Sequence, residues 1–358
     1  MEAICMPDVV RVSESRAREW NVEVFVAAGM RPHDAALVAN NLVSADCRGL
    51  FSHGLIRTRV YVKRLRTGST DPCATPEVVD EFGATVIIDG RNAMGQVVAE
   101  LAVERAIERA RKHGVGVVGV RGSNHFGTCE YYAMKASAAR MIGIVATVSA
   151  SNIMAPFGGA ERLLGNNPLG IAIPTHEAPP LVLDLAMSVA AGGKIRVAAE
   201  TGDPIPEEWA LDATGNPTTD ARAALEGTVQ PLAGYKGYGL ALMVAVLSAI
   251  LPGAAFGREV SDLYREFTHA ENVGHFFQTI DVGRFIDPDV FERRVDAAIE
   301  LMHSARKAPG VERILVPGER EHLISIEQRA HGIGYPWAIV EDLNALASEL
   351  GIAGLAKV

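Results

Sequence analysis

The segment Ser52-His53-Gly54, followed closely by Arg57, places a hydroxyl, an imidazole and a guanidinium within six residues. A guanidinium can bind a carboxylate through two hydrogen bonds, and an imidazole can exchange a proton with a nearby hydroxyl or carbonyl. If the segment begins a helix, the i,i+4 spacing places His53 and Arg57 on one face. The pair would suit an enzyme that acts on 2-hydroxy or 2-oxo acids. Taken alone, however, these residues favour a simpler interpretation, a serine N-cap beside a surface histidine and a solvated arginine.

Polar residues also stand where three predicted strands end. Residues 123–127, SNHFG, join a strand to a helix, and the N-terminal end of a helix attracts anionic ligands, although an ordinary turn would explain them too. Asp184 ends another strand, where it could cap the next turn or bind a ribose hydroxyl. Residues 317–319, PGE, follow a predicted strand RILV and could form only a tight turn. The sequence therefore predicts ligand contacts at strand ends but leaves plain turns open.

Two glycine-rich segments must be compared with known nucleotide-binding loops. Residues 114–119 match G-x-G-x-x-G, but that fingerprint works only when it follows a strand and opens a helix. Here it follows a predicted helix and enters a strand, so we discard it. Residues 234–239, GYKGYG, precede an apolar helix, and Lys236 offers a point charge for phosphate, although the segment is not a Walker A loop. Any dinucleotide must therefore bind without the Rossmann fingerprint.

The elements that position these residues change in type along the chain. Helices are predicted from Ser13 to Gly29, from Pro32 to Gly49 and after Ser52, followed by a linker at residues 67–82. Beyond the linker, strands at 84–90, 115–120, 142–148, 170–174, 181–186 and 274–282 alternate with helices at 95–113, 127–140 and from 237 onward. The C-terminal residues return to helices.

This order predicts an α/β fold of mixed type, in which helices from both termini form a layer around a central α/β domain. We expect residues 1–80 to form a helical N-terminal region that carries Ser52, His53 and Arg57. Residues 81–310 would form the central coenzyme-binding domain, and residues 311–358 would return to the helical layer.

Composition excludes several classes of protein. With 358 residues, 48% of them hydrophobic and 22% charged, the chain is not disordered, and a net charge of -9 argues against nucleic acid as a partner. Four widely separated cysteines predict neither a zinc ribbon nor a disulfide framework, so we expect no metal site and a cytoplasmic location. The N-terminus lacks the pattern of a signal peptide.

One apolar stretch, residues 237–257, approaches the length of a membrane span and contains no charge before Arg258. Pro252-Gly253 should end its helix, which leaves about 15 residues or roughly 22 Å, short of the ~30 Å hydrocarbon core. We therefore predict a helix buried on all sides of a globular protein and no membrane partner.

Seven stretches, taken together, resemble one family: ADCRGLFSHGLIR, GVGVVGVRGSNHFG, GNNPLGIAIP, VLDLAMS, GYKGYGLAL, NVGHFF and ILVPGERE. They are similar to the malate/L-lactate dehydrogenases of the non-Rossmann type, which include ureidoglycolate dehydrogenase, sulfolactate dehydrogenase and the piperideine-2-carboxylate reductases. The matches run in order from about residue 45 to 321. The resemblance implies an NAD- or NADP-dependent oxidoreductase with its own coenzyme-binding fold, acting as an intertwined homodimer on a small carboxylate substrate.

The resemblance also implies roles for individual residues. His53 would donate and accept the proton with help from Ser52, and Arg57 would bind the substrate carboxylate. The coenzyme-binding segments of the family match His125, Phe126, Gly127, Thr128, Cys129, Ser149, Val182, Leu183, Asp184, Lys236, Pro317, Gly318, Glu319 and Arg320. Some members assign the acid/base role to the histidine that matches His125. Both histidines remain candidates, and we favour His53 because Arg57 is its neighbour.

Two positions depart from the family pattern at the substrate. Asn166 stands where many members have threonine, which changes a contact to the substrate hydroxyl. Lys194 stands where the cyclic-imine reductases have the aspartate of a Ser-His-Asp relay, and a cation cannot orient the imidazole as a carboxylate does. Lys194 therefore favours oxidation of a 2-hydroxy acid over reduction of a cyclic imine 2-carboxylate. A third alternative is a catalytically silent homodimer that only binds a ligand, which the presence of His53, Arg57, His125 and Lys236 disfavours.

Overall fold

The structure, a computed structural model, describes residues 9–356. Its strands are β1 (Val9–Val12), β2 (Glu77–Phe82), β3 (Thr85–Asp89), β4 (Val115–Ser123), β5 (Met141–Thr147), β6 (Leu169–Ile173), β7 (Leu181–Leu185), β8 (Ala210–Leu211), β9 (Thr228–Val229), β10 (Val273–Asp281) and β11 (Ile333–Pro336). Its helices are α1 (Glu14–Ala27), α2 (Pro32–Cys47), α3 (Thr58–Thr67), α4 (Gly95–His113), α5 (Cys129–Ala138), α6 (Gly192–Thr201), α7 (Ala221–Glu226), α8 (Tyr235–Ala245), α9 (Pro288–His303), α10 (Glu319–His331) and α11 (Trp337–Leu350).

The centre of the molecule is a mixed sheet of seven strands in the order β2-β3-β4-β10-β5-β6-β7. Strands β3 and β4 run parallel, whereas every other neighbouring pair in this sheet is antiparallel. A Rossmann domain has a parallel sheet, so this arrangement confirms the predicted mixed α/β fold without a Rossmann domain.

Helices cover both faces of this sheet, and glycines allow their close approach. A Cβ on Gly116 of β4 would lie 2.0 Å from the Ala106 carbonyl oxygen of α4. A Cβ on Gly119 would point to the other face, 3.2 Å from Pro252, which follows α8. The glycines of the discarded fingerprint therefore allow helices to pack on the sheet, as glycines in a strand interior often do.

The two ends of the described chain form one layer over α4 and α5. Strand β1 pairs antiparallel with β11, from Val9 opposite Pro336 to Val12 opposite Ile333. Helices α10 and α11 contact this pair, α1 packs against α2, α3 and α11, and α2 also contacts α4 and α5. The buried Trp20 donates its indole N–H to the Ala353 carbonyl oxygen at 2.9 Å, which joins the two termini. The division into three parts at residues 80 and 310 stays a prediction.

Local capping signals explain where the predicted helices begin and end. The Ser13 hydroxyl accepts a hydrogen bond from the Arg16 backbone N–H at 3.2 Å, so α1 begins at Glu14. Helix α4 ends before Gly114, which adopts a left-handed conformation with a φ of 85°. A glycine adopts this conformation without the steric cost of a Cβ, which makes it a common helix terminator.

Three predicted elements are wrong. The linker predicted at 67–82 ends in β2, which is an edge strand. Most residues of β2 are exposed and several are charged, so the sequence lacks the alternation of apolar and polar residues that indicates a strand. The strand RILV at 313–316 is irregular chain. The single helix predicted after Ser52 is two short 3-10 turns, Phe51–His53 and Leu55–Arg57, followed by α3.

The apolar helix α8, predicted to be buried on all sides, is buried on one side only. It continues as a π-helical turn over Val246–Ile250 and packs its small residues Ala241, Ala245 and Ala249 inward. The opposite side exposes Leu240, Met243, Leu247, Ile250 and Leu251, of which Leu251 is 62% exposed. In the part of the chain that the structure describes, no helix is both long enough and apolar enough to cross a membrane.

Candidate active site

One large cavity, about 590 Å³ in volume, lies where strand ends meet the loops of the helical layer. Most of the predicted site residues line it: Ser52, His53, Arg57, His125, Phe126, Gly127, Thr128, Cys129, Ser149, Asn166, Val182, Leu183, Asp184, Pro317 and Gly318. These residues come from segments far apart in the sequence, and the fold brings the segments together around one cavity. The volume lies within the ~300–1,000 Å³ typical of small-molecule sites.

Four predicted site residues lie outside the lining of this cavity. Lys194 is exposed, with its ammonium 5.9 Å from the centre of the Trp209 ring. Lys236, in the first turn of α8, and Arg320, at the start of α10, are also exposed. Glu319 is buried, where it forms an ion pair with Arg313 and lies 2.8 Å from His303 Nε2. Contacts between these four side chains and a ligand remain predictions.

The segment that carries His53 is shaped by a buried carboxylate on α2. Gly54 is extended, with a ψ of -149°, and a Cβ there would lie 1.6 Å from Asp46 Oδ1. Asp46 Oδ2 accepts hydrogen bonds from the Leu55 backbone N–H at 2.9 Å and the Tyr335 hydroxyl at 2.8 Å, and burial raises the pKa of Asp46 to about 7. The contact with Asp46 separates the two 3-10 turns. The prediction that His53 and Arg57 share one helix face is therefore wrong, but both residues line the same cavity.

His53 is held by its neighbours in a defined orientation. Its Nδ1 lies 2.9 Å from the Ser52 hydroxyl, which leaves Nε2 without a partner among the described residues. Arg57 donates from Nε to the Ser52 carbonyl oxygen at 2.6 Å. Burial, followed by the Arg57 charge, lowers the pKa of His53 to about 3. The imidazole is therefore neutral at physiological pH, and in the tautomer whose Nδ1–H donates to the Ser52 hydroxyl it can accept a proton at Nε2.

His125 lies against His53 but has different partners. The two rings stack with centroids 5.7 Å apart and planes inclined by 19°. His125 Nδ1 lies 2.6 Å from the Tyr61 hydroxyl, and its backbone N–H donates to Glu271 Oε2 at 2.7 Å. Burial and then the Arg57 charge hold the pKa of His125 well below its ordinary value. Helix α3, which carries Tyr61, thus fixes His125 in place.

The N-terminal end of α5 forms the opposite wall of the cavity. Asp184, at the end of β7, accepts the Glu130 backbone N–H at 2.8 Å, so it caps this helix rather than the turn that follows β7. Burial raises the pKa of Asp184 to about 7. Gly318 has a φ of +85°, and a Cβ there would lie 2.7 Å from the Cβ of Val182. Gly127 and Gly318, which have no side chain, line the cavity on this wall.

The residues of this wall fit a dinucleotide coenzyme. The Asp184 carboxylate already accepts the Glu130 backbone N–H in the first turn of α5, but the glycines of this wall allow a ligand to approach the backbone closely. Ser149 donates its hydroxyl hydrogen to Asn166 Oδ1, so both polar side chains are held at the cavity edge. Among residues 9–356, no cluster of three or more histidine, cysteine, aspartate or glutamate side chains could hold a metal ion.

The residues of the cavity that the sequence analysis missed include Arg196, Tyr264 and Arg265. Arg196 lies only two residues after Lys194 on α6, but two residues rotate a helix by about 200°. The two cations therefore point in different directions, and only Arg196 reaches the cavity. Tyr264 and Arg265 lie in an irregular loop without a motif, so no sequence signal indicates them.

The fold and the cavity define a candidate dehydrogenase whose sheet is not of the Rossmann type. Residues 12–344 match the family model described as malate/L-lactate dehydrogenase. The malate dehydrogenase of Pyrococcus horikoshii is 38% identical over 97% of this chain and 97% of its own. Its solved structure matches with a TM-score of 0.89 at 36% identity, over 98% of both chains.

Two further relatives carry the name of a coenzyme. The ureidoglycolate dehydrogenase (NAD(+)) of Escherichia coli O157:H7 is 36% identical over 93% of this chain and 94% of its own. The (2R)-3-sulfolactate dehydrogenase (NADP(+)) of Chromohalobacter salexigens is 35% identical over 94% and 98%. This chain belongs to the malate/L-lactate dehydrogenase family, which confirms the family predicted from the seven motifs.

Proposed function

We propose that this enzyme oxidises a small 2-hydroxy acid at C2, with His53 as the base and Arg57 as the group that binds the carboxylate. It is an NAD(P)-dependent 2-hydroxy acid dehydrogenase. The observation that carries the residue roles is the neutral His53, oriented by Ser52 and placed with Arg57 in the wall of one cavity.

The coenzyme, NAD or NADP, supplies the hydride acceptor when it is bound. We assign its binding to the coenzyme end of the cavity, formed by residues 125–129, 182–184 and 317–318. The substrate end is formed by Ser52, His53, Arg57, Arg196 and Tyr264. A guanidinium is suited to the substrate carboxylate because its donors form a planar fork that matches two oxygens.

The proton passes to His53 in this scheme. Because Nδ1 is hydrogen-bonded to the Ser52 hydroxyl, the free Nε2 is the atom that accepts the hydroxyl proton of the substrate. The positive charge that forms on His53 is transient, since its lowered pKa favours return of the proton to water. His125, stacked on His53, is assigned to binding of the coenzyme and to support of the catalytic ring.

Reduction of a cyclic imine is the weaker alternative. The aspartate that would complete a Ser-His-Asp relay is replaced by Lys194, whose ammonium contacts Trp209 outside the cavity. The partners of His53 are Ser52 and the nearby Arg57, and neither is a carboxylate. This environment favours an unprotonated histidine, which accepts a proton and so suits oxidation of an alcohol.

We further propose a homodimer in the cytoplasm. The exposed apolar side of α8 and its π turn, formed by Leu240, Met243, Leu247, Ile250 and Leu251, supports a protein interface. Cys47, Cys73 and Cys129 are free thiols, which suits a reducing compartment. Light scattering at micromolar concentration should give twice the mass of the chain, and a monomer mass would overturn the proposed dimer.

A panel of 2-hydroxy acids, each combined with NAD and with NADP, tests the proposed reaction. Absorbance of the reduced nicotinamide should rise with at least one pair. The matched control is His53→Asn, which should lose this signal while still binding reduced coenzyme by fluorescence titration. Binding of coenzyme without oxidation of any 2-hydroxy acid would contradict the proposed reaction, and turnover only of a cyclic imine would favour the alternative.

A further inference from the structure

Asn167, which follows the cavity-lining Asn166, is held in an unusual backbone conformation. Its φ is +34°, in the left-handed region that residues with a Cβ seldom adopt, and the residue is buried. The other non-glycine residues with a positive φ in the described chain are all at least partly exposed: Arg91, Asn92, Arg140, Ala233 and Asn272. A strained conformation persists only where the surrounding contacts enforce it, and such residues cluster at functional sites.

Three hydrogen bonds enforce this conformation. The Asn167 amide donates from Nδ2 to the Ala241 carbonyl oxygen of α8 at 2.9 Å. Its Oδ1 accepts the Ser149 backbone N–H at 3.2 Å, and the Asn167 backbone N–H donates to the Ser149 hydroxyl oxygen at 3.3 Å. One end of the amide thus meets an acceptor and the other end meets a donor. An aspartate could not replace this asparagine, because an ionised carboxylate has no hydrogen to donate.

The contacts of Asn167 determine how Ser149 binds its next partner. The Ser149 hydroxyl oxygen accepts the Asn167 N–H, and its own hydrogen is donated to Asn166 Oδ1. A primary amide has one acceptor oxygen and two donor hydrogens on its nitrogen. With Oδ1 engaged, the Nδ2 group of Asn166 is without a partner among the described residues, and Asn166 lines the cavity. The Asn166 side chain therefore offers a donor, rather than an acceptor, to a bound ligand.

This arrangement connects α8 with the cavity. Among the described residues, none of α8 lines the cavity itself. Asn167 also lies outside the lining, but it joins the α8 backbone to Ser149 and Asn166, which both line it. Ser149 follows β5 and Asn166 precedes β6, so the hydrogen bonds also fix the ends of two neighbouring strands. A contact made by Asn166 thus depends on a residue outside the cavity.

We infer that Asn167 is a positioning residue, which uses its anchor on α8 to fix the Ser149 hydroxyl and so to present the Asn166 amide donor to the ligand. The acceptor is an oxygen atom, either the carboxamide oxygen of the nicotinamide or an oxygen of the substrate acid. The inference rests on the function proposed above, because that function places both molecules in this cavity. Asn167 therefore affects binding and turnover only through Asn166.

Asn167→Gly removes the amide, and glycine adopts a positive φ without steric cost. We expect kcat/KM on the best substrate to fall about tenfold, the effect of one lost hydrogen bond. The matched control is Asn272→Gly, the same substitution at a left-handed asparagine that is exposed, lies outside the cavity and accepts the Gly122 N–H. Its kcat/KM should stay within about twofold of wild type, as for an ordinary surface substitution.

A double substitution separates positioning from a loss of folding stability. In an Asn166→Ala background, Asn167→Gly should lower kcat/KM by no more than about twofold further, because the residue through which it acts has lost its amide. The loss of folding free energy caused by Asn167→Gly, measured by denaturant unfolding, should be similar in both backgrounds. Equal fold losses of kcat/KM in the two backgrounds would assign the effect to general structure and overturn the inference.

Binding measurements do not require turnover, and they identify the acceptor. Reduced coenzyme is titrated by its fluorescence, and oxamate, an unreactive analogue of a 2-oxo acid, is titrated against the saturated complex. Weaker binding of coenzyme to Asn167→Gly would identify the nicotinamide oxygen, and weaker binding of oxamate would identify an oxygen of the acid. Either result supports the inference even if no 2-hydroxy acid is oxidised, an outcome that contradicts only the proposed reaction. If Asn167→Gly changes neither affinity nor kcat/KM, the inference is rejected even where oxidation is observed.

Discussion

The two ends of the cavity are built on different kinds of structure. At the coenzyme end, residues 125–129 and 182–184 stand at strand ends and at the N-terminus of α5, next to the packed sheet. At the substrate end, His53 and Arg57 stand on two short 3-10 turns, and Tyr264 stands in an irregular loop. The coenzyme end is therefore carried by the ends of regular elements, whereas the substrate end is carried by short turns and a loop whose side chains include the cations of Arg57 and Arg196.

This difference indicates at which positions substrate specificity can change with little loss of folding stability. Backbone positions at the coenzyme end are fixed by sheet packing, so a substitution there disturbs the fold. Side chains on loops can change without moving the sheet, which allows one scaffold to accept different substrates. The relatives named for malate, ureidoglycolate and sulfolactate are in keeping with such a division. Four predictions test it, from the largest expected effect to the smallest.

The largest effect is expected when the two stacked histidines, His53 and His125, are substituted one at a time. His53→Asn should lower kcat by at least about a hundredfold, because general acid–base catalysis contributes roughly 10²–10⁴-fold. Its coenzyme affinity should remain near wild type. His125→Asn should instead weaken coenzyme binding, because His125 stands where β4 leads into α5. Single-turnover rates and fluorescence titration measure the two properties independently.

The reverse pattern would exchange the two assignments. If His125→Asn bound coenzyme normally but lost the chemical step, and His53→Asn mainly raised KM, then His125 would be the acid/base. Ser52→Ala serves as a milder control, because it removes the group at Nδ1 of His53 without removing the ring.

Arg57→Lys should lower kcat/KM on the best substrate by about ten- to a hundredfold. An ammonium keeps the charge but cannot form a two-point contact with a carboxylate. The matched control is Arg59→Lys, two residues further along, where the arginine pairs with Asp342 and Glu349 outside the cavity. Wild-type kinetics for Arg57→Lys would show that Arg57 does not bind the carboxylate.

At the coenzyme end, Gly318→Ala should reduce both stability and coenzyme affinity. The new Cβ would lie 2.7 Å from the Cβ of Val182 at a φ of +85°, so strain and overpacking should together cost about 2–4 kcal/mol of folding free energy. Gly310→Ala is the control, because its φ is +78° but nothing lies within 4 Å of the added Cβ. Denaturant unfolding and coenzyme titration compare them, and equal losses in both variants would assign the effect to φ alone.

The smallest effect should be seen in the pH profile of oxidation. The reaction needs unprotonated His53, and a pKa lowered from 6.5 to about 3 keeps the ring unprotonated as the pH falls through 6.5. The rate of the chemical step should therefore persist below pH 6.5. Arg57→Gln removes the second cause of the lowered pKa, after burial, so its acid limb should move upward. An acid limb at 6.5 in the wild type, measured by single turnover, would contradict a buried neutral base.

The local sequence predicted regular elements well where capping and periodicity agreed. Helix α4 begins at Gly95 and ends at His113, as predicted, because an apolar face and a terminal glycine both specify it. Strand β2 was missed because its exposed, charged residues lack the alternation of a half-buried strand. Arg196 was missed because a single arginine on a short helix gives no sign of the direction in which it points.

The sequence by itself determined the family, the order of most strands of the central sheet, and most of the segments that meet at the cavity, since motifs and periodicity are properties of neighbouring residues. Only the tertiary structure decided how His53 and Arg57 face the cavity, because Asp46 on another helix excludes a side chain at Gly54. It also decided that Arg196 enters the cavity while Lys194 does not, and that α8 exposes an apolar side. These outcomes depend on contacts between residues far apart in the chain, which local patterns do not encode.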